Sequence, residues 1–170
     1  MDKVITTTFM IIASIVTTVM VFNGVFPAIL RSRDAMVTMR GRMDERIKSQ
    51  VAIIHAAGEL DSSGAWQDNN GNGNFDVFVW VKNVGALRIA AVERIDLFFG
   101  PEGNFARIPS KTEAAGAYPY WEWEVENDTY WNPTATLKLT IKFSTILTSQ
   151  RYFVKVVIPS GQGDDDYFSF

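Results

Sequence analysis

The residues best suited to chemistry are a run of aspartates and asparagines between positions 68 and 76. The run reads DNNGNGNFD, with a side-chain oxygen at every second position and Gly73 at the turn. Alternate residues of a tight loop turn their oxygens inward, as calcium loops of the D-x-[DN]-x-[DN]-G pattern do. The predicted ligands are Asp68, Asn70, Asn72, Asn74 through its backbone carbonyl, and Asp76.

This loop departs from the calcium pattern at its twelfth position, where the expected acid is replaced by Val79. With two carboxylates and several amides, we expect a weak site suited to millimolar extracellular calcium. An Asn/Gly turn without an ion is the alternative, and the sequence leaves both open. Calcium is the single cofactor that the sequence predicts.

A modification site is predicted at Asn127. Asn127-Asp128-Thr129 matches the acceptor triplet for N-glycosylation and follows a predicted strand at the surface. Such triplets also arise by chance, so an unmodified surface turn is the alternative.

No set of residues predicts catalysis. His55 is the only histidine and the chain has no cysteine, which argues against zinc chemistry, a thiol nucleophile and a Ser-His-Asp triad. Glu122, Glu124 and Glu126 alternate along a predicted strand, where they most simply form a solvated face. We therefore expect a protein that is not an enzyme.

The element that begins the chain is an uncharged segment, Val4–Leu30. As a helix it would span about 40 Å, and a bilayer core needs about 20 such residues. It is too long for the apolar core of a cleaved signal peptide, so we expect it to stay in the mature protein. Its five threonines, with Ser14 and Asn23, also suit packing against other helices.

The helical pattern continues beyond this segment. Apolar residues recur at spacings of three and four as far as Ile54, and Gly58 with the turn that follows marks the expected end. We predict a helical domain over residues 1–59 that forms a filament core or a membrane anchor. The predicted polymerisation face comprises Phe9, Ile12, Val16, Met20, Met36, Met39, Met43, Ile47, Val51 and Ile54.

From Phe75 the apolar period changes to two, which is typical of strands with one buried face. The predicted strands cover residues 75–83, 92–100, 120–127, 136–144 and 152–159. We therefore predict an α+β chain: a long N-terminal hydrophobic α-helix followed by an antiparallel, immunoglobulin-like β-sandwich head over residues 65–170.

Charge differs between the two predicted parts. Residues 1–60 carry a net charge of +2 and residues 61–170 a net charge of −5, so no nucleic-acid partner is expected. By the positive-inside rule, the basic residues after Leu30 would hold the C-terminal side in the cytoplasm. The aromatic, β-rich head with its calcium-type loop favours the outside, and we give this more weight.

The architecture resembles archaellins and the wider type IV pilin-like group, although Ile5 stands where pilins commonly carry glutamate. Residues 75–85 (FDVFVWVKNVG) and 93–100 (ERIDLFFG) are also similar to archaellum accessory proteins of the FlaG/FlaF type. The pilin-like resemblance implies that the helices leave the membrane and form a filament core sheathed by the sandwiches. It also implies glycosylation, at Asn127, and metal binding, at the Asp68–Asp76 loop.

The predicted function is a structural subunit of an archaellum-like extracellular filament for motility or adhesion. Its partners would be copies of itself, the inner membrane before assembly, and the S-layer or another part of the envelope, and it would end at the cell surface. The alternative is a membrane-anchored archaellum stator or envelope-binding protein with a β-sandwich ectodomain. Single-span receptors and anchored enzymes are further alternatives.

Overall fold

A computed structural model describes residues 1–169. The chain divides into two compact units, Met1–Met43 and Asp44–Phe170. A single helix, α1 (Asp2–Lys48), forms the first unit and continues into the second, without interruption at Pro27 and with no buried residue. By length and composition, α1 could cross a membrane, and the apolar stretch lies in its N-terminal half.

The helix ends ten residues before the predicted stop at Gly58. Strand β1 (Val51–Gly58) follows at once and pairs antiparallel with the next strand. Val51 and Ile54, predicted on the helical polymerisation face, therefore lie on a strand, and the helical boundary at residue 59 is corrected to Lys48. Sheet pairing that buries Val51 and Ala56 outweighs the helical periodicity, because β-branched residues fit a half-buried sheet well.

Within residues 1–169, eight strands form two four-stranded antiparallel sheets. The first sheet has the order β1-β2-β6-β5, with β2 (Phe75–Asn83), β5 (Tyr120–Val125) and β6 (Thr136–Phe143). The second has the order β4-β3-β7-β8, with β3 (Asp96–Pro101), β4 (Ala106–Ile108), β7 (Arg151–Val157) and β8 (Gly163–Ser169). The connections include a 3₁₀ turn (Val92–Arg94) and a short helix, α2 (Lys111–Ala114).

The predicted fold class is confirmed, since a long N-terminal helix precedes an antiparallel sandwich. All five predicted strands are present, and β2 has the predicted bounds. The third strand begins at Asp96 because the 3₁₀ turn occupies residues 92–94. Strand β8 was not predicted, since its aspartates hide any alternation of apolar residues.

The core lies between the inner faces of the two sheets. Alternate residues of the central strands are fully buried there, as a period of two requires. They include Val77, Val79 and Val81 of β2, Leu137, Leu139 and Ile141 of β6, and Leu97, Val154 and Val156 of the second sheet.

Both open edges of the sandwich are closed by bonds between the sheets. On one side, Asp164 of β8 accepts the Ile53 N–H of β1 through Oδ2 at 2.8 Å, beside a bulge in β1. On the other, the Trp121 indole donates to the Ile108 carbonyl at 3.1 Å, and the Trp121 N–H donates to the Pro109 carbonyl. Edges occupied in this way are poor templates for aggregation.

Candidate functional site

The uncharged part of α1 satisfies its own hydroxyl groups. All five threonines donate to the carbonyl four residues earlier in the helix, at 2.8–2.9 Å, and Ser14 donates to the Ile11 carbonyl at 2.8 Å. A hydroxyl bonded in this way presents no unpaired donor to the surroundings. The segment is therefore compatible with lipid without the help of a second helix.

The rest of the predicted polymerisation face lies on α1 and is exposed. Its members are Phe9, Ile12, Val16, Met20, Met36, Met39, Met43 and Ile47. The structure contains one chain, so polymerisation through these residues stays a prediction.

The last turn of α1 is held by the loop that follows β2. Ala86 N–H donates to the Lys48 carbonyl at 2.8 Å, and the N–H groups of Val84 and Gly85 both donate to the Gln50 carbonyl at 3.0 Å. A side chain at Gly85 would collide with the backbone at Lys48 and Gln50. Only glycine permits this close approach.

Asn83 supports that loop from within the core. Its side chain is fully buried and donates to the carbonyls of Leu87, at 2.9 Å, and Trp131, at 3.2 Å. Its Oδ1 accepts the Gly85 N–H at 3.0 Å. Asn83 and Gly85 therefore hold the chain in place at the C-terminal end of α1.

The Asp68–Asp76 loop folds around its own carboxylates and amides. Asp68 accepts the N–H of Asn72 at 3.1 Å and that of Gly73 at 2.8 Å, one on each oxygen. Asn70 and Asn72 each accept the N–H two residues later. Gly73 adopts a φ of +76°, which a glycine tolerates without strain.

Asp76 anchors this loop from the start of β2. It is 1% exposed, and its Oδ2 accepts the side-chain amides of Asn70 at 3.0 Å and Asn72 at 2.9 Å. Four of the five predicted ligands are thus brought together. The fifth, Asn74, is also buried and donates its side-chain amide to the Asn72 carbonyl at 3.2 Å.

Sequence reasoning missed Glu59, which lies beside the loop. Glu59 follows β1 and is 4% exposed, and its Oε1 accepts the N–H groups of Asn69 at 2.9 Å and Asn70 at 3.1 Å. Its own N–H donates to the Asp76 carbonyl. The available signal was an acidic residue directly after the largely apolar residues 51–58. Using it to find Glu59 would have required knowing that β1 pairs with β2.

Carboxylate, imidazole and thiol side chains alone do not form a metal site within residues 1–169. In the described part of the chain, no three His, Cys, Asp or Glu side chains form a group that could hold a metal ion. Amide and backbone oxygens would therefore have to supply part of any coordination shell. Calcium binding by Asp68, Asn70, Asn72, Asn74 and Asp76 stays a prediction.

The glutamates of β5 are partnered rather than simply solvated. Glu122 lies 2.8 Å from Lys111 and 3.2 Å from Lys142, and Glu124 lies 3.3 Å from Lys138. Burial raises the pKa of Glu122, but the bonds from the two lysines outweigh burial and lower the pKa below its ordinary value. The lowered pKa keeps Glu122 ionised in a structural ion pair.

The remaining candidates lie at the surface. Asn127 is exposed between β5 and β6, and its Oδ1 accepts the Thr136 N–H at 2.9 Å. Glycosylation at Asn127 stays a prediction. His55 lies on β1 and stacks on Trp80 with ring centroids 5.3 Å apart.

No family model matches the chain. An uncharacterized protein of Archaeoglobus fulgidus is 23% identical over 175 residues, covering 99% of this chain and 98% of that protein. The relationship therefore extends over nearly the full length of both chains.

Two solved structures from Sulfolobus acidocaldarius are similar to the chain. The archaellum periplasmic stator protein FlaG matches with a TM-score of 0.54 and 25% identity, over 71% of this chain and 99% of that chain. The archaellum periplasmic stator protein complex of FlaF and FlaG matches with a TM-score of 0.52 and 25% identity, over 70% of this chain and 88% of the other.

These neighbours support an archaellum-related protein with a sandwich like that of the stator proteins. They do not confirm membership of the archaellin or type IV pilin-like group. Of the two functions predicted from sequence, they favour the membrane-anchored stator or envelope-binding protein over the filament subunit.

Proposed function

We propose that this chain is a membrane-anchored archaellum protein of the stator type, with α1 in the membrane and the sandwich on the outer side. The similarity to FlaG carries this proposal, because it covers 99% of the FlaG chain at 25% identity. The sandwich would make contact with the cell envelope and hold the rotating machinery against it.

The chemistry of α1 supports the anchor. Residues 4–30 have no charge, and the five threonine hydroxyls are bonded within the helix. The threonines would favour a filament core if they needed partners on neighbouring helices. Since they do not, lipid is a sufficient environment for them.

The same comparison supports the proposal of a protein partner. The second neighbour is described as a complex of FlaF and FlaG. We infer that this sandwich likewise binds a second archaellum protein on the outer side of the membrane.

Deletion of the gene separates a stator from a filament subunit. We expect cells that still assemble archaella, visible by electron microscopy, but swim poorly because the filament has no fixed support. The protein should remain in the membrane fraction when filaments are sheared from wild-type cells. Loss of filaments in the deletion strain, or this chain as a main component of sheared filaments, would overturn the proposal.

Complementation tests the anchor itself. Val16→Arg places a charge in the middle of the uncharged segment, where insertion costs about 2.5–3.5 kcal/mol, and should release the protein from membranes and fail to restore swimming. Met39→Arg, at an exposed position beyond that segment, is the matched control and should behave as wild type. Membrane retention of both variants would contradict the role given to α1.

A further inference from the structure

Two carboxylates of the sandwich unit each leave one buried oxygen without a hydrogen-bond partner. These oxygens are Oε2 of Glu59, which is 4% exposed, and Oδ1 of Asp76, which is 1% exposed. A buried charge with an unpaired oxygen is unfavourable.

The two carboxylates belong to neighbouring residues and share one bonding partner. Glu59, which follows β1, donates its N–H to the Asp76 carbonyl of β2 at 2.8 Å. Asn70 bonds both side chains: its N–H donates to Glu59 Oε1 at 3.1 Å and its amide donates to Asp76 Oδ2 at 3.0 Å. Asp68 belongs to the same loop and is half-buried, but it does not form a three-acid group with Glu59 and Asp76.

One ammonium group approaches this cluster and does not neutralise it. Lys142 Nζ lies 3.6 Å from Asp76 Oδ2 and 3.2 Å from Glu122 Oε1, so its charge is shared with a carboxylate outside the cluster. The Oδ1 atom of Asp76 and the Oε2 atom of Glu59 remain without a hydrogen-bond partner.

We propose that Glu59 and Asp76 are the buried acidic ligands of a calcium ion, which the Asp68–Asn74 loop completes with its own oxygens. Glu59 supplies in space the acid that the sequence lacks at position 79. The side-chain donors are carboxylate and amide oxygens alone, which suits a hard cation. The Asn/Gly loop offers no octahedral frame of oxygens, which favours calcium over magnesium.

The amides of Asn70 and Asn72 are already bonded at both ends. Their nitrogens donate to Asp76, and each Oδ1 accepts the N–H two residues later. An amide oxygen has two lone pairs, so each Oδ1 has one left for an ion. This proposal does not depend on the archaellum function.

The test measures thermal unfolding of the full-length protein in detergent by tryptophan fluorescence. All five tryptophans lie between residues 66 and 131, so the signal reports the sandwich unit. After treatment with a chelator, added calcium should raise Tm saturably, with a Kd on the order of 10⁻⁴–10⁻³ M. At ten times Kd, the ratio of folded to unfolded protein should rise about tenfold.

Two variants separate ion binding from general stability. Glu59→Gln keeps the size of the side chain and should abolish the calcium shift, whereas Glu93→Gln, at an exposed position of the 3₁₀ turn, should retain it. If Glu59→Gln fails to fold, Asp68→Asn should raise the Kd for calcium at least tenfold. Equal calcium shifts in wild type and in the Glu59→Gln or Asp68→Asn variant would overturn the proposal.

Terbium luminescence reports ion binding directly, so it would not change if Glu59 served only to stabilise the fold. Trp66 contacts Phe75 at the edge of the loop, with ring centroids 6.1 Å apart, so it should sensitise Tb³⁺ bound there. Calcium should displace this signal, and Glu59→Gln should lose it. If the wild-type protein shows neither a calcium-dependent rise in Tm nor a Tb³⁺ signal that calcium displaces, the calcium site is refuted.

Discussion

Lys142 is the residue on which the charges of the first sheet converge. It lies on β6 between Asp76 and Glu122, with 12% of its side chain exposed. Burial lowers the pKa of Lys142, but the bond to Glu122 and the charge of Asp76 outweigh burial and raise it. The lysine therefore stays charged throughout the physiological pH range and links the two carboxylates.

This ion pair predicts a loss of stability in acid. The pKa of Glu122 is lowered from an ordinary value of 4.5, so its contribution is complete above about pH 4.5 and is lost as the pH falls through the lowered pKa. Because the side chain is 34% exposed, solvent screening makes the effect modest. Thermal unfolding between pH 3 and pH 7 should show Tm falling less steeply for Glu122→Gln than for wild type.

The control for this titration is Glu93→Gln, whose exposed carboxylate lies outside the ion pair. It should reproduce the wild-type dependence of Tm on pH. An identical slope for all three proteins would show that Glu122 does not carry the acid sensitivity.

At the residue scale, the sequence predicted local features and missed contacts between strands. The alternation of DNNGNGNFD was enough to predict a tight loop at residues 68–76, because the pattern is local; calcium binding by this loop stays a prediction. Glu59 and the partners of Glu122 depend on strand register across the sheet. The local sequence does not indicate which residues pair across neighbouring strands. Glu59 was therefore missed, and the glutamates of β5 were interpreted as solvated.

At the scale of elements, the junction of α1 with the sandwich depends on the segment that follows β2. Asn83 is buried beneath it, and Gly85 lies against the backbone of Lys48 and Gln50. The glycine at this position is therefore required by a backbone contact rather than by a turn.

Gly85→Ala should destabilise the sandwich unit. The added methyl group would overlap backbone atoms, which cannot move aside as a side-chain end can, and such overpacking costs about 1–3 kcal/mol. Chemical unfolding of the full-length protein in detergent, followed by tryptophan fluorescence, should show the loss.

Gly41→Ala is the matched control, because nothing lies within 4 Å of a side chain at this helical position. It should leave the fluorescence transition unchanged, since Gly41 lies in the other compact unit. Equal stability of the two variants would contradict the contact described for Gly85.

The same junction explains where sequence reasoning about elements failed. The spacing of Met36, Met39, Met43 and Ile47 is helical, and α1 includes all four. The spacing continues to Val51 and Ile54 by coincidence, whereas the chain there pairs with β2. Periodicity reports local geometry, and it cannot report that a neighbouring strand is available to bury the segment.

At the scale of the whole molecule, the basic residues and the similar solved structures indicate opposite orientations in the membrane. Six basic residues follow the uncharged segment, at positions 31, 33, 40, 42, 46 and 48. The positive-inside rule would hold these residues, and the sandwich after them, in the cytoplasm. The solved neighbours are described as periplasmic stator proteins, which favours the outside.

Thiol labelling of intact cells decides between the two topologies. The chain has no cysteine, so Thr145→Cys, at an exposed position after β6, introduces a single thiol. We expect a membrane-impermeant maleimide to label it fully in intact cells, because a stator-type sandwich lies outside. Asp2→Cys, at the other end of the span, should react only after permeabilisation. The reverse pattern would show that the basic residues determine the orientation, and a sandwich in the cytoplasm could not contact the envelope as a stator does.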